Sequence, residues 1–218
     1  ARPLPVLGLV ALGAIALAGC ASPASGSPAP DGPNDPITFP KAPLGDDPTA
    51  VNPITEFARL VTEKTGREVE IVDVPDYTAV VEAIRNHHVD IGFMSGFPSA
   101  LAVNTGQVDA LMAWPGTQEP VSTCLVKQDS QLQSLKDVKP ETVVAFADPA
   151  SSSGYFMPVT MLHGAGLEKD VDYKPLFSGG HDMSFIALKE GQVDVACTST
   201  IFPKMVGTDM FPFAEGEV

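Results

Sequence analysis

Three consecutive hydroxyls, Ser151, Ser152 and Ser153, stand in the stretch FADPASSSGYFMP, between an apolar run ending at Ala147 and the glycine Gly154. Residues of this type in this pattern support three kinds of chemistry. A serine next to a general base is a nucleophile. Several hydroxyls at a helix start, with unpaired backbone N–H groups and the positive end of the helix dipole behind them, form a cradle for an oxyanion. A single serine there is an ordinary N-cap. The nucleophile reading needs Ser153, His181 and Asp182 as a triad. However, the G-x-S-x-G elbow is absent, and Asp182 directly follows His181 instead of lying where it would orient the imidazole. Hydrolysis is therefore disfavoured and no enzyme activity is expected, while cradle and cap both stay open. No metal or cofactor is expected either, because His87 and His88 are adjacent at a helix end and no His/Cys cluster has ligand spacing.

Charge narrows the partners. The chain has 13 basic and 27 acidic residues, a net charge of −14, with 44% hydrophobic and 18% charged residues. Without a basic stripe, neither nucleic acid nor anionic headgroups are suitable partners. A small anion is still allowed, since hydroxyls and backbone N–H groups hold anions without net positive charge.

The length suits one large domain or two lobes of roughly 100 residues each, and the elements that must position the serines alternate. NPITEFARLVTEKTG, 52–66, reads as a helix with Pro53 in its first turn and Gly66 as stop. EVEIVDV, 68–74, is a strand by alternation. DYTAVVEAIRNHH, 76–88, is a helix capped by Asp76 with Val80, Val81 and Ile84 inward. VDIGFM, 89–94, has the continuous apolar character of a buried parallel strand. ALMAW, VSTCLVK and TVVAFA follow as strands, with helices at 155–165, 182–190 and 201–206. The rhythm predicts an α/β fold with mostly parallel sheets and helices on both faces. The serines fall at a strand-to-helix turn, with Pro158 tolerated near the first turn of the helix.

The N-terminus reads as an export signal. Leu4 to Ala18 is apolar, too short to span a membrane, and ends in LAGC, which looks like a bacterial lipobox with Cys20 as the lipid-carrying residue. Residues 1–19 are then a lipoprotein signal peptide. The Ser/Pro/Gly/Ala-rich stretch 20–36 is a tether. The expected location is the outer face of the bacterial cytoplasmic membrane, held there through Cys20.

An internal echo organises the rest. AIRNHHVDIG, 83–92, and ALKEGQVDVA, 187–196, share a helix end, a turn and a strand opening with Val-Asp at an offset of 104 residues. The same offset takes Tyr77 to His181 and Ser95 to Ser199. Each half would thus present a ring-bearing donor at a helix start and a serine just past the next strand. Ligands of open α/β sheets sit at such strand ends.

With these residues in hand, the chain resembles the phosphate/phosphite/phosphonate substrate-binding proteins of ABC importers, the PhnD-like family. ADPASSSGY is similar to that family's DPxSTSGY motif. DYTAVVEAIRNHHVDIGF, KQDSQLQSLKDVK and SGGHDMSFIALKEGQVDVA follow its order over about residues 50–200. The resemblance implies a class II periplasmic-binding-protein fold, with two α/β lobes joined by two hinge strands and closing on ligand. Lobe 1 would be 37–122 and lobe 2 123–205, with 206–218 starting an incomplete return to lobe 1. It further implies that Ser151, Ser152, Ser153 and the Gly154 N–H hold the oxygens of a small phosphorus oxyanion, with Tyr77 donating from lobe 1 and His181 from lobe 2. Such a protein works as a monomer and docks on an ABC permease, or alternatively serves as the ligand-dependent partner of a membrane sensor. Such proteins are typically longer, and this sequence looks clipped at both ends.

Two departures refine this. Where relatives that hold an aminoalkyl phosphonate place an acidic residue after VDVA, this chain has CTSTIF, with Ile201 or a neighbour replacing it. Phosphate, phosphite or an alkyl phosphonate is thus favoured over an aminoethyl ligand. The family's GPxSY turn reads SGFPSA, so its Tyr is missing, and Ser95 or Ser99 would substitute, with Ser199 as the echo's further candidate. Cys124 and Cys197 form either a disulfide, as suits an exported protein, or two buried thiols. Trp114 precedes the first hinge and would either report closure or pack in the core.

Overall fold

The computed structural model describes residues 32, 35–41, 53–113, 119–208 and 211–218. The stretch expected to be a signal peptide, Cys20, most of the expected tether and Trp114 lie outside these. The chain builds two sheets, the first a parallel pair of β1 (Ile37–Lys41) and β2 (Val69–Asp73) in register from Ile37 opposite Val69. With them go helices α1 (Pro53–Thr65), α2 (Tyr77–Arg85) and α3 (Gly96–Asn104). The second sheet has the order β3-β6-β4-β5. It comprises β3 (Ser122–Leu125), β4 (Val143–Phe146), β5 (Lys174–Phe177) and β6 (Val195–Ser199), with helices α4 (Met157–Gly164) and α5 (His181–Lys189). Its pairings are parallel except between β3 and β6. Among the described residues no helix is long and apolar enough to cross a membrane.

Alternation along β4 separates the core into two layers. Ala145 packs with Phe185 and Leu188 of α5 and with Phe202, Phe211 and Phe213. Val144 and Phe146 pack on the other side with Leu162 of α4, Tyr173 and Cys197. Burying several aromatic rings at roughly 25 cal/mol per Å² makes this the dominant stabilising term of the second unit. Residues 211–218, within the stretch 206–218 where a return toward the first lobe is expected to start, pack on the second unit. Phe211 and Phe213 are buried beside Phe185, and the Gln128 N–H donates to the Glu217 carbonyl at 2.9 Å.

The echo is visible in three dimensions. Asp90 takes the Thr38 N–H on its carboxylate at 2.7 Å, and Asp194 takes that of Val143 at 2.8 Å. In both places the aspartate's own N–H returns to the same residue's carbonyl, at 3.1 and 2.9 Å. The turn before each pair needs a left-handed residue: Gly191 with φ 75° in the second unit, and His87 with φ 55° at the equivalent place in the first.

Two predicted strands do not form. Residues 89–94 run beside β1, but β1 offers them few donors. Ile37 and Lys41 bond toward β2, so Thr38 and Pro40 face the segment. The Thr38 N–H is taken by the Asp90 side chain, and Pro40 has no N–H, so no ladder can extend. Ala110 to Ala113 of ALMAW is irregular and pairs with neither sheet, with Leu111 78% and Met112 73% exposed. Two elements went unpredicted. Strand β5 contains Pro175, which an edge strand tolerates. Helix α3 lacks an amphipathic pattern; its signals are Pro98 in the first turn and buried Pro98 and Ala102 four residues apart.

Candidate functional site

The serine turn is built by β4 ending in Phe146-Ala147-Asp148. Asp148 is buried, and its carboxylate accepts the Ala150 N–H at 2.6 Å, which folds the chain back over the strand end. Ser151, also buried, caps the next turn by accepting the Gly154 N–H at 3.0 Å. Residues Ser152–Phe156 then form one π-turn that leads into α4, and Pro158 sits in the first turn of that helix, where no N–H is needed. A Cβ on Gly154 would lie 2.6 Å from the Ala147 Cβ and 2.9 Å from both His181 Cε1 and Ser151 Oγ. Only glycine lets the turn lie this close to β4 and His181. The Ser153 carbonyl is held by the Ser122 hydroxyl of β3 at 2.7 Å.

The first unit meets this turn. The hydroxyl of Ser152 accepts the Phe97 N–H of α3 at 2.7 Å and the Ser95 hydroxyl at 3.0 Å. Ser95 stands at the N-cap of α3 without capping it, so its hydroxyl is spent across the two units instead. Above these bonds the rings of Phe97 and Phe156 stack, with centroids 4.2 Å apart and planes inclined by 9°. Tyr77 opens α2 behind the Asp76 cap, which accepts the Ala79 N–H at 2.7 Å. Burial, and then the negative Asp148 and Asp182 carboxylates, push its phenol up, so it stays a protonated donor. The Asp148 carboxyl is pushed up by burial and by Asp76, while the Ala150 and Tyr77 N–H groups oppose this.

His181 opens α5, after Gly179 with φ 92° and Gly180. Its ring is buried against Phe202, centroids 4.9 Å apart, and its Nδ1 lies 2.9 Å from Thr198 Oγ1. Burial lowers its pKa to about 4, so the ring is neutral at physiological pH. Its polar partner is Thr198, which leaves the imagined arrangement of Ser153, His181 and Asp182 without the orienting bond that a triad requires.

The starts of α2, α3, α5 and the serine turn therefore converge, joining Tyr77, Ser95, Ser151, Ser152, Ser153, Gly154 and His181 around one region. α5 has no side-chain cap, so its first N–H groups keep capacity for an anion, whereas at α3 Phe97 donates to Ser152 and Pro98 has no N–H, which leaves that of Gly96. The weaker candidates are occupied locally. The Ser99 hydroxyl donates to the Met94 carbonyl at 3.2 Å, and Ser199 accepts the Ile201 N–H at 3.4 Å. Ile201 itself is exposed. Sequence reasoning missed Asp148, Thr198, Ser122 and the Phe97–Phe156 pair; the aspartate in ADPASSSGY is the one signal that pointed toward any of them. Among the described residues no group of three or more His, Cys, Asp or Glu side chains is placed to hold a metal ion. Cys124 and Cys197, opposite each other across β3 and β6, are joined as a disulfide.

Two α/β units with mostly parallel sheets, meeting at converging helix N-termini, define the class II periplasmic-binding-protein fold. The solved structures most like this one include a binding protein of an ABC phosphonate transporter from Pseudomonas aeruginosa (TM-score 0.63, 20% identity, 77% of this chain and 58% of that one). Another is PhnD1 from Prochlorococcus marinus in complex with methylphosphonate (TM-score 0.62, 19% identity, 80% and 66%). The chain belongs to the family of ABC transporter, phosphonate, periplasmic substrate-binding proteins, whose family model matches residues 43–209. That family is one of transport binding proteins, not of enzymes. Over 152 residues the chain is 33% identical to the phosphate-import protein PhnD of Mycolicibacterium smegmatis, a match covering 62% of this chain and 46% of that protein. It is 28% identical over 152 residues to the phosphonates-binding periplasmic protein of Escherichia coli, covering 67% and 45%. The chain thus spans about half the length of the curated relatives it matches.

Proposed function

We propose that this chain captures a small phosphorus oxyanion (phosphate, phosphite or an alkyl phosphonate) between its two α/β units and delivers it to the permease of an ABC importer. The observation that carries this reading is the serine turn lying against the start of α3, with neutral His181 beside Gly154. Neutral hydroxyls, N–H groups and helix dipoles suit an oxyanion, because they hold charge without a counter-ion that would also have to be desolvated. The names of the relatives point the same way: one imports phosphate, another binds phosphonates, a third was solved with methylphosphonate.

In this reading Ser151, Ser153, Tyr77 and His181 face the ligand, while the Gly154 N–H, expected to join them, is spent on the Ser151 hydroxyl. Ser152 and Ser95 hold the two units together around it, and the lobes follow the two sheets. The protein acts as a monomer tethered outside the cytoplasmic membrane through Cys20. Ile201 leaves no carboxylate for an ammonium at that position, which favours ligands without one.

The test is isothermal titration of the protein with phosphate, phosphite, methylphosphonate and aminoethylphosphonate. Heat is expected with at least one of the first three, and silence from all of them would sink the phosphorus-oxyanion reading. Tight binding of aminoethylphosphonate would overturn the argument from Ile201. The double replacement of Ser151 and Ser153 by Ala should abolish binding while the protein still folds, since only the Ser151 cap, about 1 kcal/mol, is removed.

A further inference from the structure

We propose that Thr198 is a positioning residue: its hydroxyl fixes His181 in the tautomer that carries the ring proton on Nε2, making this nitrogen a neutral hydrogen-bond donor to the bound oxyanion. The inference rests on the oxyanion reading for its ligand, but its core is a matter of hydrogen-bond accounting. Thr198 is fully buried in β6, and its Oγ1 lies 2.9 Å from His181 Nδ1. Among the described residues this is the hydroxyl's one hydrogen bond. If Nδ1 carried the proton it would donate to Oγ1, and the buried hydroxyl hydrogen would then have no acceptor. If the hydroxyl donates to Nδ1, both atoms are satisfied and the ring proton must sit on Nε2.

The ring is also held against turning over. Phe202 packs on its face at 4.9 Å, and Cε1 lies 2.9 Å from the place a Cβ would take on Gly154. Nδ1 is therefore committed to Thr198, and Nε2 is the nitrogen left for a ligand at the serine turn. The threonine is itself well anchored. It follows Cys197, whose disulfide to Cys124 ties β6 to β3, and Thr123 stands opposite Thr198 in that pairing. Protonation of the ring would make Nδ1 a donor and leave the buried hydroxyl hydrogen without an acceptor, and burial separately disfavours the charged ring.

The experiment compares wild type, T198V and T198S in two readouts. Nitrogen-15 NMR of the imidazoles without ligand reports the tautomer, and isothermal titration with inorganic phosphate, phosphite and methylphosphonate reports affinity. Wild-type His181 should give the Nε2–H signature. T198V should lose this bias and weaken binding about tenfold, the scale of one hydrogen bond; T198S should restore both. An Nδ1–H signature in wild type, or T198V with unchanged tautomer and affinity, would overturn the proposal. Should T198V fail to fold, the wild-type spectrum and T198S still decide it. Silence of wild type toward all three anions sinks the oxyanion reading and the donor role with it, while the ligand-free tautomer stands or falls on its own spectrum.

Discussion

Asp90 and Asp194, 104 positions apart, perform the same task with different support around them. Each accepts a strand N–H on its carboxylate, from Thr38 and from Val143. In the second unit the chain then enters β6, which lies between β3 and β4 in a four-stranded sheet. In the first it enters a segment that forms no ladder, beside a two-stranded sheet. The ring-bearing donors differ in the same sense: His181 is buried and bonded to Thr198, whereas Tyr77 is half-buried. The serine turn is braced by Ser122 from β3 and by the close packing at Gly154. The comparison teaches that one repeated helix–turn–strand unit can serve as a rigid half-site or a softer one, depending on what its strand pairs with.

The largest expected effect tests the cross-link that only the second unit has among the described residues. The Cys124–Cys197 disulfide closes a loop of sequence separation 73. Its removal in C124A/C197A should cost about 4 kcal/mol in urea unfolding. A loss under about 1 kcal/mol would mean that sheet pairing, not the cross-link, distinguishes the two units.

Next is pH. His181 has its folded pKa lowered from 6.5 to about 4 by burial. Between these values the unfolded chain binds the proton and the folded one does not. Stability is therefore complete above pH 6.5 and falls as pH drops toward 4, by an amount on the order of 3 kcal/mol. Urea unfolding at pH 7 and pH 5 should show a steeper acid loss in wild type than in H181Q. Parallel slopes would place the acid sensitivity elsewhere. Tyr77, pushed upward and so protonated throughout this range, should contribute nothing to it.

The paired aspartates come third. Asp194→Ala should destabilise by about 1–2 kcal/mol and Asp90→Ala by less, because the strand that loses its acceptor is central in one unit and peripheral in the other. Equal losses would erase the contrast. The smallest effect is a gain. His87 holds φ 55° where its counterpart is Gly191, so His87→Gly should stabilise by about 0.5–1 kcal/mol in thermal unfolding. A loss would show that the histidine side chain has a contact worth more than its backbone strain.

Most of the fold was legible because its signals are local. Asp76 capping α2, Pro53 opening α1 and the β-branched runs of β2 and β4 each act on their own neighbourhood. Failures came where a partner strand decides. Nothing within VDIGFM says that the strand it would join has a proline facing it and an N–H already taken by Asp90. Pro175 argues against a strand until β5 is seen at a sheet edge. For the site, the motif and the echo marked the serines, Tyr77, Ser95 and His181 along the chain. Their braces, Ser122, Thr198 and Phe97, lie 17 to 55 residues away in the bonds they make and have no motif of their own.

By itself the sequence determined the alternation of elements, the repeated Val-Asp unit and the choice of neutral donors at a strand-to-helix turn, because capping, turn chemistry and hydrophobic period act over a few residues. Tertiary structure alone decided which hydroxyl does what. Ser151 caps, Ser152 turns to the other unit, the Ser153 backbone is clamped from β3, and Thr198 claims one nitrogen of His181. Three identical side chains in a row carry no instruction for such a division. It arises because each buried polar group must find its own partner, and those partners arrive from distant strands and helices only when the sheets assemble.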